Sequence, residues 1–417
     1  MKTQSAPSDG GTDNLFRLLA CGYLALLAAT WRLWTPQTVF PQVPLISVAG
    51  QCPRSVEWGF LIVLLACLGS MLLFVTSKYQ RCASLLTGLA TMGLVSIDQH
   101  RLQPWAWQFV IVSLVLATAQ PSTARTVWRW LVIGIYAWSA WSKIDYGFCV
   151  HHGPFLLDGI CKAIGFAEGT RTWPANVRYV VAAAIPLFEL LVAVGLCGRR
   201  TRRFAVCGAA AMHAGLLLSL GPWGHNHQPG VLVWNLFFLV QNWMLFWRHR
   251  TGSSVAEVPT TLAATRGNRF AKAVVIAALI WPLFEPLGGC DHWPSWAVYA
   301  AKLERVTVYL SESEFSQWPK DRQAYLGQQT VFDEWYPLRL DRWSLDALHA
   351  PIYPQDRFQV GVALALVREL GLNQIRIVIE GPANRFTGQR GVHEYVGRES
   401  VEKLADSYRL GARPRLE

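Results

Sequence analysis

Long apolar runs separated by short polar loops fill the first 290 residues of the chain. They fall near residues 15–34, 56–75, 83–97, 105–119, 127–142, 177–197, 204–221, 231–247 and 270–288. Charges, prolines or glycines bound each run, as at helix ends. Most runs are about as long as a helix that crosses a bilayer. The pattern predicts an α-helical polytopic membrane bundle of about nine transmembrane helices at residues 15–289, after a cytoplasmic tail at residues 1–14.

A different pattern follows the apolar runs. Residues 305–310 and 374–379 are rich in branched side chains with short alternating stretches, which predicts two β-strands. Residues 356–370 have apolar positions at helical spacing, and a second helix is predicted at 399–408. Residues 290–417 are therefore predicted to form a small α+β domain that packs on the bundle.

Basic residues set the expected orientation. Residues 1–289 hold 22 Lys and Arg against 10 Asp and Glu, whereas residues 290–417 hold 16 against 17. The excess lies in loops of the predicted bundle, so it indicates topology and no nucleic-acid partner is expected. One set of loops carries fourteen basic residues and the other seven. The richer set is expected to be cytoplasmic, which makes the N-terminus cytoplasmic and the C-terminal domain extracytoplasmic.

Four of the nine cysteines fall on the predicted outer side: Cys52, Cys149, Cys161 and Cys290. An even number suits an oxidising compartment. Pairing Cys149 with Cys161 and Cys52 with Cys290 is one of three possible connectivities. Four unpaired thiols are the alternative.

Short runs indicate where a pocket lies. The runs 83–97 and 105–119 have 15 residues each, about 22 Å of helix against a hydrocarbon core of about 30 Å. The turn between them carries Asp98, His100 and Arg101 and leads into Trp105. It is predicted to lie below the outer boundary, shielded by protein because lipid cannot satisfy its polar groups. By the same argument Lys143, at the end of a short run, lies slightly beneath the outer interface.

Ionisable residues within the predicted helices are candidate functional groups. Glu189 and His213 each fall near the middle of a run, where a charge is costly and usually functional. The alternative is that they hydrogen-bond each other or the backbone and hold the bundle together, as Asn235 also could. Histidines are frequent in the predicted outer loops, but they lack the spacing of a metal site, so none is predicted. Acid–base chemistry fits them better.

Lys143 is the leading candidate. Tyr136, Ser139 and Lys143 stand at i, i+3 and i+7 and share one helix face. A dry environment disfavours the ammonium form of a lysine, which would let Lys143 act as a base. The alternative is that Lys143 extends to the headgroups or pairs with Asp145 as a helix-end anchor.

These residues carry a family resemblance. The segment YAWSAWSKID, from Tyr136 to Asp145, resembles the Tyr-x-x-Ala-Gly-x-Lys-Lys-Leu-Asp segment of vitamin K-dependent γ-glutamyl carboxylase and its bacterial relatives, the HTTM membrane domain. His213 with the later segments WGHN, VWN and LF resembles a helix pair of that family. The resemblance covers residues 15–290. It departs at Ala140, Ser142 and Phe148, where the family has glycine, lysine and tryptophan.

The chain also resembles a second group. Ser139 to Lys143 and Pro186 to Glu189 are similar to segments of the DoxX/MauE-like redox-associated membrane proteins, and Asp98 to Trp105 looks like a signature of a bacterial branch near both groups. Together the resemblances imply a bacterial inner-membrane protein that contacts a quinone or quinol. The α+β domain differs from the β-rich lumenal region of the carboxylase, so protein carboxylation is not expected.

The resemblance implies roles for named residues. Lys143 would be the base that deprotonates a quinol, and the remaining catalytic candidates would polarise it or relay protons. Those candidates are His213, Glu189, Asp98 and His100. The substrate-binding candidates are Tyr136, Ser139, Arg101, Trp105, Asn235 and Asp145.

Three functional hypotheses remain open. The catalytic one requires Lys143, His213 and Asp98 to meet in one cavity reachable from lipid. A redox-associated module would bind quinone or an extracytoplasmic protein and use a reactive thiol such as Cys149. A scaffold that only displays the outer domain predicts polar groups that satisfy one another without a cavity.

Overall fold

The computed structural model describes residues 10–74, 77–166, 168–247, 265–329 and 334–415. Every predicted apolar run overlaps a helical segment. The helices of this part are α1 (Gly10–Ala29), α2 (Trp31–Trp34), α3 (Arg54–Leu73), α4 (Ser77–Ile97), α5 (Pro104–Thr118), α6 (Pro121–Lys143), α7 (Gly153–Ala163), α8 (Ala175–Cys197), α9 (Arg202–Leu220), α10 (Pro229–Asn242) and α11 (Arg266–Ile280). Most of the tail predicted at residues 1–14 lies outside the described residues, and α1 begins within it.

Five helical segments of the described chain are long and apolar enough to cross a membrane: Arg54–Leu73, Ala175–Cys197, Arg202–Leu220, Pro229–Trp247 and Arg266–Leu287. At most 44% of the residues in any of these spans are buried, so most of their apolar side chains face outward. This arrangement is compatible with a membrane-embedded protein. Two further apolar helical segments, Asn14–Ala29 and Pro104–Thr118, are shorter. Helical segments occur at all nine predicted runs, but nine spans are not confirmed, because only these five segments of the described residues have the length and composition of a span.

Two of the runs predicted to be short are the ends of longer helices. Helix α4 has 21 residues and α6 has 23, which is about 31 and 34 Å of helix. The polar first turns of both helices hid this extra length from the hydropathy pattern. The length argument that placed Lys143 beneath the outer interface is therefore wrong. Of the three runs predicted to be short, only 105–119 forms a short helix, α5.

The C-terminal domain is α+β, as predicted. Its antiparallel sheet has the order β2-β1-β3-β4. The strands are β1 (Arg305–Ser311), β2 (Trp335–Leu338), β3 (Ile375–Glu380) and β4 (Val392–Val396), and the helices are α12 (Leu340–Leu348), α13 (Asp356–Leu370) and α14 (Arg398–Ser407). The predictions of β1, β3, α13 and α14 are confirmed. Strands β2 and β4 were missed because they are short and lack a clear alternation of buried and exposed positions.

Helix α13 joins the sheet to the bundle. Its residues from Arg357 to Leu364 are all buried, and one continuous hydrophobic core includes residues of both parts. Gly361 allows close approach, because a Cβ there would lie 2.7 Å from a methyl group of Val43. Phe358 packs on the ring of His100, with centroids 4.9 Å apart. The C-terminal domain is therefore packed onto the bundle.

The turn after α4 is covered by this domain. Asp98, Gln99, His100 and Arg101 are at most 1% exposed. The side chain of Gln99 donates to the carbonyl of Gly411 at 2.8 Å, and the ring of His100 bonds the carbonyl of Pro351 at 2.8 Å. The prediction that protein shields this turn is confirmed.

The predicted disulfides are wrong: all nine cysteines are free thiols. A π-helical turn at Phe148–His152 continues directly into α7. Cys149 and Cys161 are therefore twelve positions apart along a nearly continuous helix, which is a distance of roughly 18 Å. A disulfide needs Cα atoms within about 7 Å. Cys52 lies beside Arg415, to which its carbonyl oxygen is bonded, while Cys290 is buried beside Asp291 in a separate cluster of charges.

His292 lies in a buried cluster of charges where the bundle meets the C-terminal domain. Its Nδ1 is 2.9 Å from Glu285, and its Nε2 is 3.7 Å from Glu304. Lys302 also pairs with Glu285. Burial alone would lower the pKa of His292, but the two carboxylates outweigh burial and raise that pKa from 6.5 to about 9.

We expect this cluster to make stability pH-dependent. The folded state holds the His292 proton more tightly, so the contribution is complete below pH 6.5 and is lost as the pH rises through about 9. The contribution is on the order of 3 kcal/mol. Thermal unfolding from pH 6 to 10 should show His292→Gln approaching the wild type at the alkaline end. Substitution of the exposed His393 by glutamine is the matched control, and equal curves for both variants would contradict the assignment.

Candidate functional site

A cavity of about 270 Å³ lies between the bundle and the C-terminal domain. Helices α6, α8, α9 and α10 form its walls, and residues 293–299 with 349–351 cover it. Its lining is mostly apolar and aromatic, and includes Trp105, Ile185, Met212, Trp234, Phe238 and Trp296. Polar side chains are concentrated on the helices of the bundle. The cavity has the character of a binding site for a largely apolar molecule that carries a few polar atoms.

Lys143 lies in the last turn of α6 and lines this cavity. Its Nζ donates to the carbonyl oxygen and to the hydroxyl of Ser139 and to Oε2 of Glu189, the last at 2.9 Å. An ammonium group has three donors, so each has an acceptor. Lys143 is 7% exposed. The arrangement pairs Lys143 with Glu189 rather than with Asp145.

Glu189 projects from α8 into the same cavity. Oε2 is bonded to Lys143, whereas Oε1 accepts no hydrogen bond from the described residues. A carboxylate has about four acceptor positions, so Oε1 can receive a proton from a molecule in the cavity.

His213 belongs to a neutral chain of hydrogen bonds. Tyr136 Oη lies 2.7 Å from His213 Nε2, and His213 Nδ1 lies 2.7 Å from Oδ1 of Asn235. The amide of Asn242 donates to Tyr136 Oη at 2.6 Å. The simplest assignment has Tyr136 donating to Nε2 and Nδ1–H donating to Asn235. Because both ring nitrogens are hydrogen-bonded, His213 links α6, α9 and α10. It also contributes a polar side chain to the cavity wall.

The catalytic candidates do not all meet. Lys143, Glu189 and His213 line the cavity, but Asp98 and His100 do not. An oxygen of Asp98 accepts from the backbone N–H of His100, and burial lowers the pKa of His100 to about 4, which keeps it neutral. The predicted catalytic set is therefore divided between the cavity and the interface with the C-terminal domain.

The substrate-binding candidates divide in the same way. Tyr136, Ser139, Trp105 and Asn235 line the cavity. Arg101 is instead paired with Glu57 and donates to the carbonyl of Leu33. The Asp145 carboxylate accepts from the backbone N–H of Phe148 at 2.7 Å and lines a neighbouring pocket.

That neighbouring pocket is mostly apolar and has a volume of about 400 Å³, and it is lined by the end of α6 with residues 144–150, by α8, and by Arg385 and Phe386 of the C-terminal domain. Lys143 lines both spaces, so its side chain lies where they approach each other. Cys149 also lines the second pocket, but burial and nearby Asp145 raise the pKa of its thiol. A raised pKa disfavours the thiolate, so the structure offers no support for Cys149 as a reactive thiol.

The cover of the cavity was not predicted. Trp293, Trp296, Tyr299 and His349 reach it from the C-terminal domain. Three of them have positive φ angles, at 61° for Trp296, 59° for Tyr299 and 54° for His349. Such angles are uncommon for bulky residues, and no sequence pattern indicated them.

Comparison with known proteins gives no assignment, because no family profile, curated protein or solved structure matches this chain.

Proposed function

We propose that this membrane protein binds a quinol, or a similar lipid-soluble molecule with an ionisable hydroxyl, in the cavity and accepts its proton at the Lys143–Glu189 pair. The single observation that carries the proposal is a charged pair that lines a small, mostly apolar cavity, in which Oε1 of Glu189 accepts no hydrogen bond from the described residues. A buried ion pair is weak evidence for stability and common at functional sites.

The pair divides the chemistry between two side chains. One of the three acceptors of Lys143 is the Glu189 carboxylate, so an oxyanion can take the place of that carboxylate beside Lys143 once Glu189 is protonated. The Glu189 carboxylate is the group with room for a proton. This division of roles replaces the expectation that Lys143 acts as the base by itself. The resemblance to the HTTM and carboxylase group remains part of the proposal.

The second pocket supports a route by which a lipid-soluble molecule enters the site from the bilayer. Its lining includes the end of α6, residues 144–150, α8 and residues 385–386, and the α8 residues include Leu187, which is half exposed. A lipid-soluble molecule at the predicted outer side of a bacterial inner membrane would reach Lys143 through this pocket. The scaffold hypothesis predicts no cavity, and the redox-module hypothesis needs a reactive thiol, which the raised pKa of Cys149 does not favour.

Binding can be tested by filling the cavity. Ile185→Trp should weaken binding of 2-methyl-1,4-naphthoquinone at least ~10-fold, because a larger side chain would occupy the space. Calorimetric titration of the full-length protein in lipid nanodiscs measures the dissociation constant.

The matched control is Leu191→Trp, which places the same side chain on the exposed face of the same helix. It should bind the quinone as the wild type does. If the wild type does not bind the quinone, or if the two variants behave alike, the proposal is wrong.

A further inference from the structure

Two polar groups in the cover of the cavity have no partner in the part of the chain that the structure describes. They are the indole Nε1–H of Trp296 and the hydroxyl of Tyr299, and both atoms are shielded from solvent. Both side chains line the cavity. Buried polar groups are nearly always hydrogen-bonded to protein or ordered water. Two unpaired groups beside one small cavity therefore indicate a partner that occupies it.

The backbone at these residues supports the same conclusion. Trp296 and Tyr299 have φ angles of 61° and 59°, a region that glycine adopts without strain and aromatic residues rarely adopt. Strain of this kind persists where the surrounding structure imposes it, and it clusters at binding sites. The chain keeps two large aromatic side chains where glycine would be relaxed, which indicates that the side chains themselves are needed.

We propose that Trp296 and Tyr299 form a second polar subsite, in which the indole N–H and the phenolic O–H donate hydrogen bonds to an uncharged oxygen acceptor of the bound molecule, such as a ketone carbonyl. The subsite rests on the proposed function only in requiring that a ligand occupies this cavity. It does not require proton transfer at Glu189.

The chemistry of the lining selects this kind of ligand atom. The indole N–H can only donate, so the group that meets it must be an acceptor. Lys143 is the only lysine or arginine among the described residues that line the cavity, and it is already paired with Glu189. His227, whose ring lies edge-on to Tyr299 at 6.2 Å, is kept neutral because burial lowers its pKa. Without a free cation nearby, a carbonyl fits better than a carboxylate.

The test compares two probes that differ only in their oxygens, 2-methyl-1,4-naphthoquinone and 2-methylnaphthalene. Tyr299→Phe and Trp296→Phe each remove one donor and keep an aromatic ring. In full-length protein in nanodiscs, each variant should weaken quinone binding about 3- to 10-fold, the usual effect of one hydrogen bond. Binding of the hydrocarbon by Tyr299→Phe should not change.

Two controls separate hydrogen bonding from packing. Trp318→Phe removes an equally buried and unpaired indole N–H that does not line the cavity, and it should leave quinone binding unchanged. Tyr353→Phe removes a hydroxyl bonded to Asp291, so it should lower the unfolding temperature without weakening binding. Tyr299→Phe should weaken quinone binding without lowering the unfolding temperature, because its hydroxyl has no partner among the described residues to lose.

Each outcome decides between the proposals. If both cover variants bind the quinone as tightly as the wild type, the subsite is wrong while quinone binding in the cavity stands. If the hydrocarbon and the quinone lose affinity equally, the effect is one of packing and the subsite is again wrong. If the wild type binds no quinone, or Ile185→Trp does not weaken binding, the proposed function fails and the subsite fails with it.

Discussion

Replacing Glu189 with glutamine is expected to slow deprotonation of a bound quinol by about 10²- to 10⁴-fold, the usual effect of removing a positioned base. Oε2 of this carboxylate is 2.9 Å from Lys143 Nζ, Oε1 accepts no hydrogen bond from the described residues, and Glu189 lines the cavity. Proton transfer from the quinol hydroxyl to Oε1 breaks the O–H bond of the quinol and leaves a neutral carboxylic acid beside a quinolate. No electrons are transferred.

The exchange of ion pairs makes this step feasible in an apolar site. A phenolic hydroxyl is a weaker acid than a carboxylic acid by about 6 pKa units in water, so the transfer is strongly uphill there. In the cavity, Lys143 would exchange a carboxylate partner for the quinolate. The number of buried charges stays constant, so no unpaired charge has to be created in a dry environment. Glutamine cannot accept the proton, and it leaves Lys143 without an anionic partner.

Stopped-flow absorbance of the quinolate measures the step directly, after anaerobic mixing of 2-methyl-1,4-naphthohydroquinone with the full-length protein. If the pair acts as a unit, Lys143→Met slows the reaction to a similar extent. If Lys143 were the base by itself, Glu189→Gln would retain the rate and only Lys143→Met would lose it. Glu402→Gln, in a partly exposed pair with Arg398, is the control and should leave the rate unchanged.

Protein abundance has to be measured with the rate. Each single substitution leaves one buried charge unpaired, at a cost of roughly 3–5 kcal/mol. The double variant Lys143→Met with Glu189→Gln replaces the ion pair by two uncharged side chains and should recover much of that stability. It should not recover the rate. A double variant that recovers both would identify the pair as structural.

The face of α6 that carries the site could be predicted from spacing alone. Tyr136, Ser139 and Lys143 share it, and all three line the cavity. The partner of Lys143 could not be predicted, because Asp145 is near in sequence while Glu189 is near only through the packing of α6 against α8. Hydropathy located the helices but missed the polar first turns of α4 and α6, whose length changes where their ends lie.

Other features depended on contacts that the sequence does not encode locally. The path from Cys149 to Cys161 is one example: proline is well tolerated in the first turn of a helix, and the helical path continues through Gly153 and Pro154. The cover residues Trp296 and Tyr299 lie more than 100 residues after Glu189 and follow no periodic pattern. Their left-handed backbone is one that aromatic residues seldom adopt.

The second large effect is expected at Glu57, which lies between two arginines from distant parts of the chain. One of its oxygens pairs with Arg101, and the other is 2.5 Å from Arg415 Nη1. Glu57 and Arg101 are fully buried and Arg415 is nearly so. Glu57→Gln removes the carboxylate that is paired with both of these guanidinium groups, so it should destabilise the protein by about 3–5 kcal/mol. Thermal unfolding in detergent measures the loss.

The contacts of Arg415 give the Glu57 cluster a local effect that an exposed ion pair would not have. Arg415 also bonds the side chain of Gln42 and the carbonyl of Cys52, so it anchors the end of the C-terminal domain to the bundle. Glu57→Gln should therefore speed hydrogen exchange at residues 411–415. The control is Arg413→Ala, which breaks an exposed pair with Asp406 and should cost no more than about 1 kcal/mol. Equal losses in both variants would show that burial of the cluster does not matter.

Glu57→Gln also separates architecture from chemistry. Arg101 was a substrate-binding candidate, but neither Arg101 nor Glu57 lines the cavity. Protein of the Glu57→Gln variant that remains folded should therefore bind 2-methyl-1,4-naphthoquinone with the wild-type dissociation constant, while its unfolding temperature falls. Glu189→Gln should instead lose the proton-transfer step in protein that still binds the quinone. If Glu57→Gln weakens binding in folded protein, Arg101 acts on the ligand through the cover of the cavity, and the separation of the two clusters is wrong.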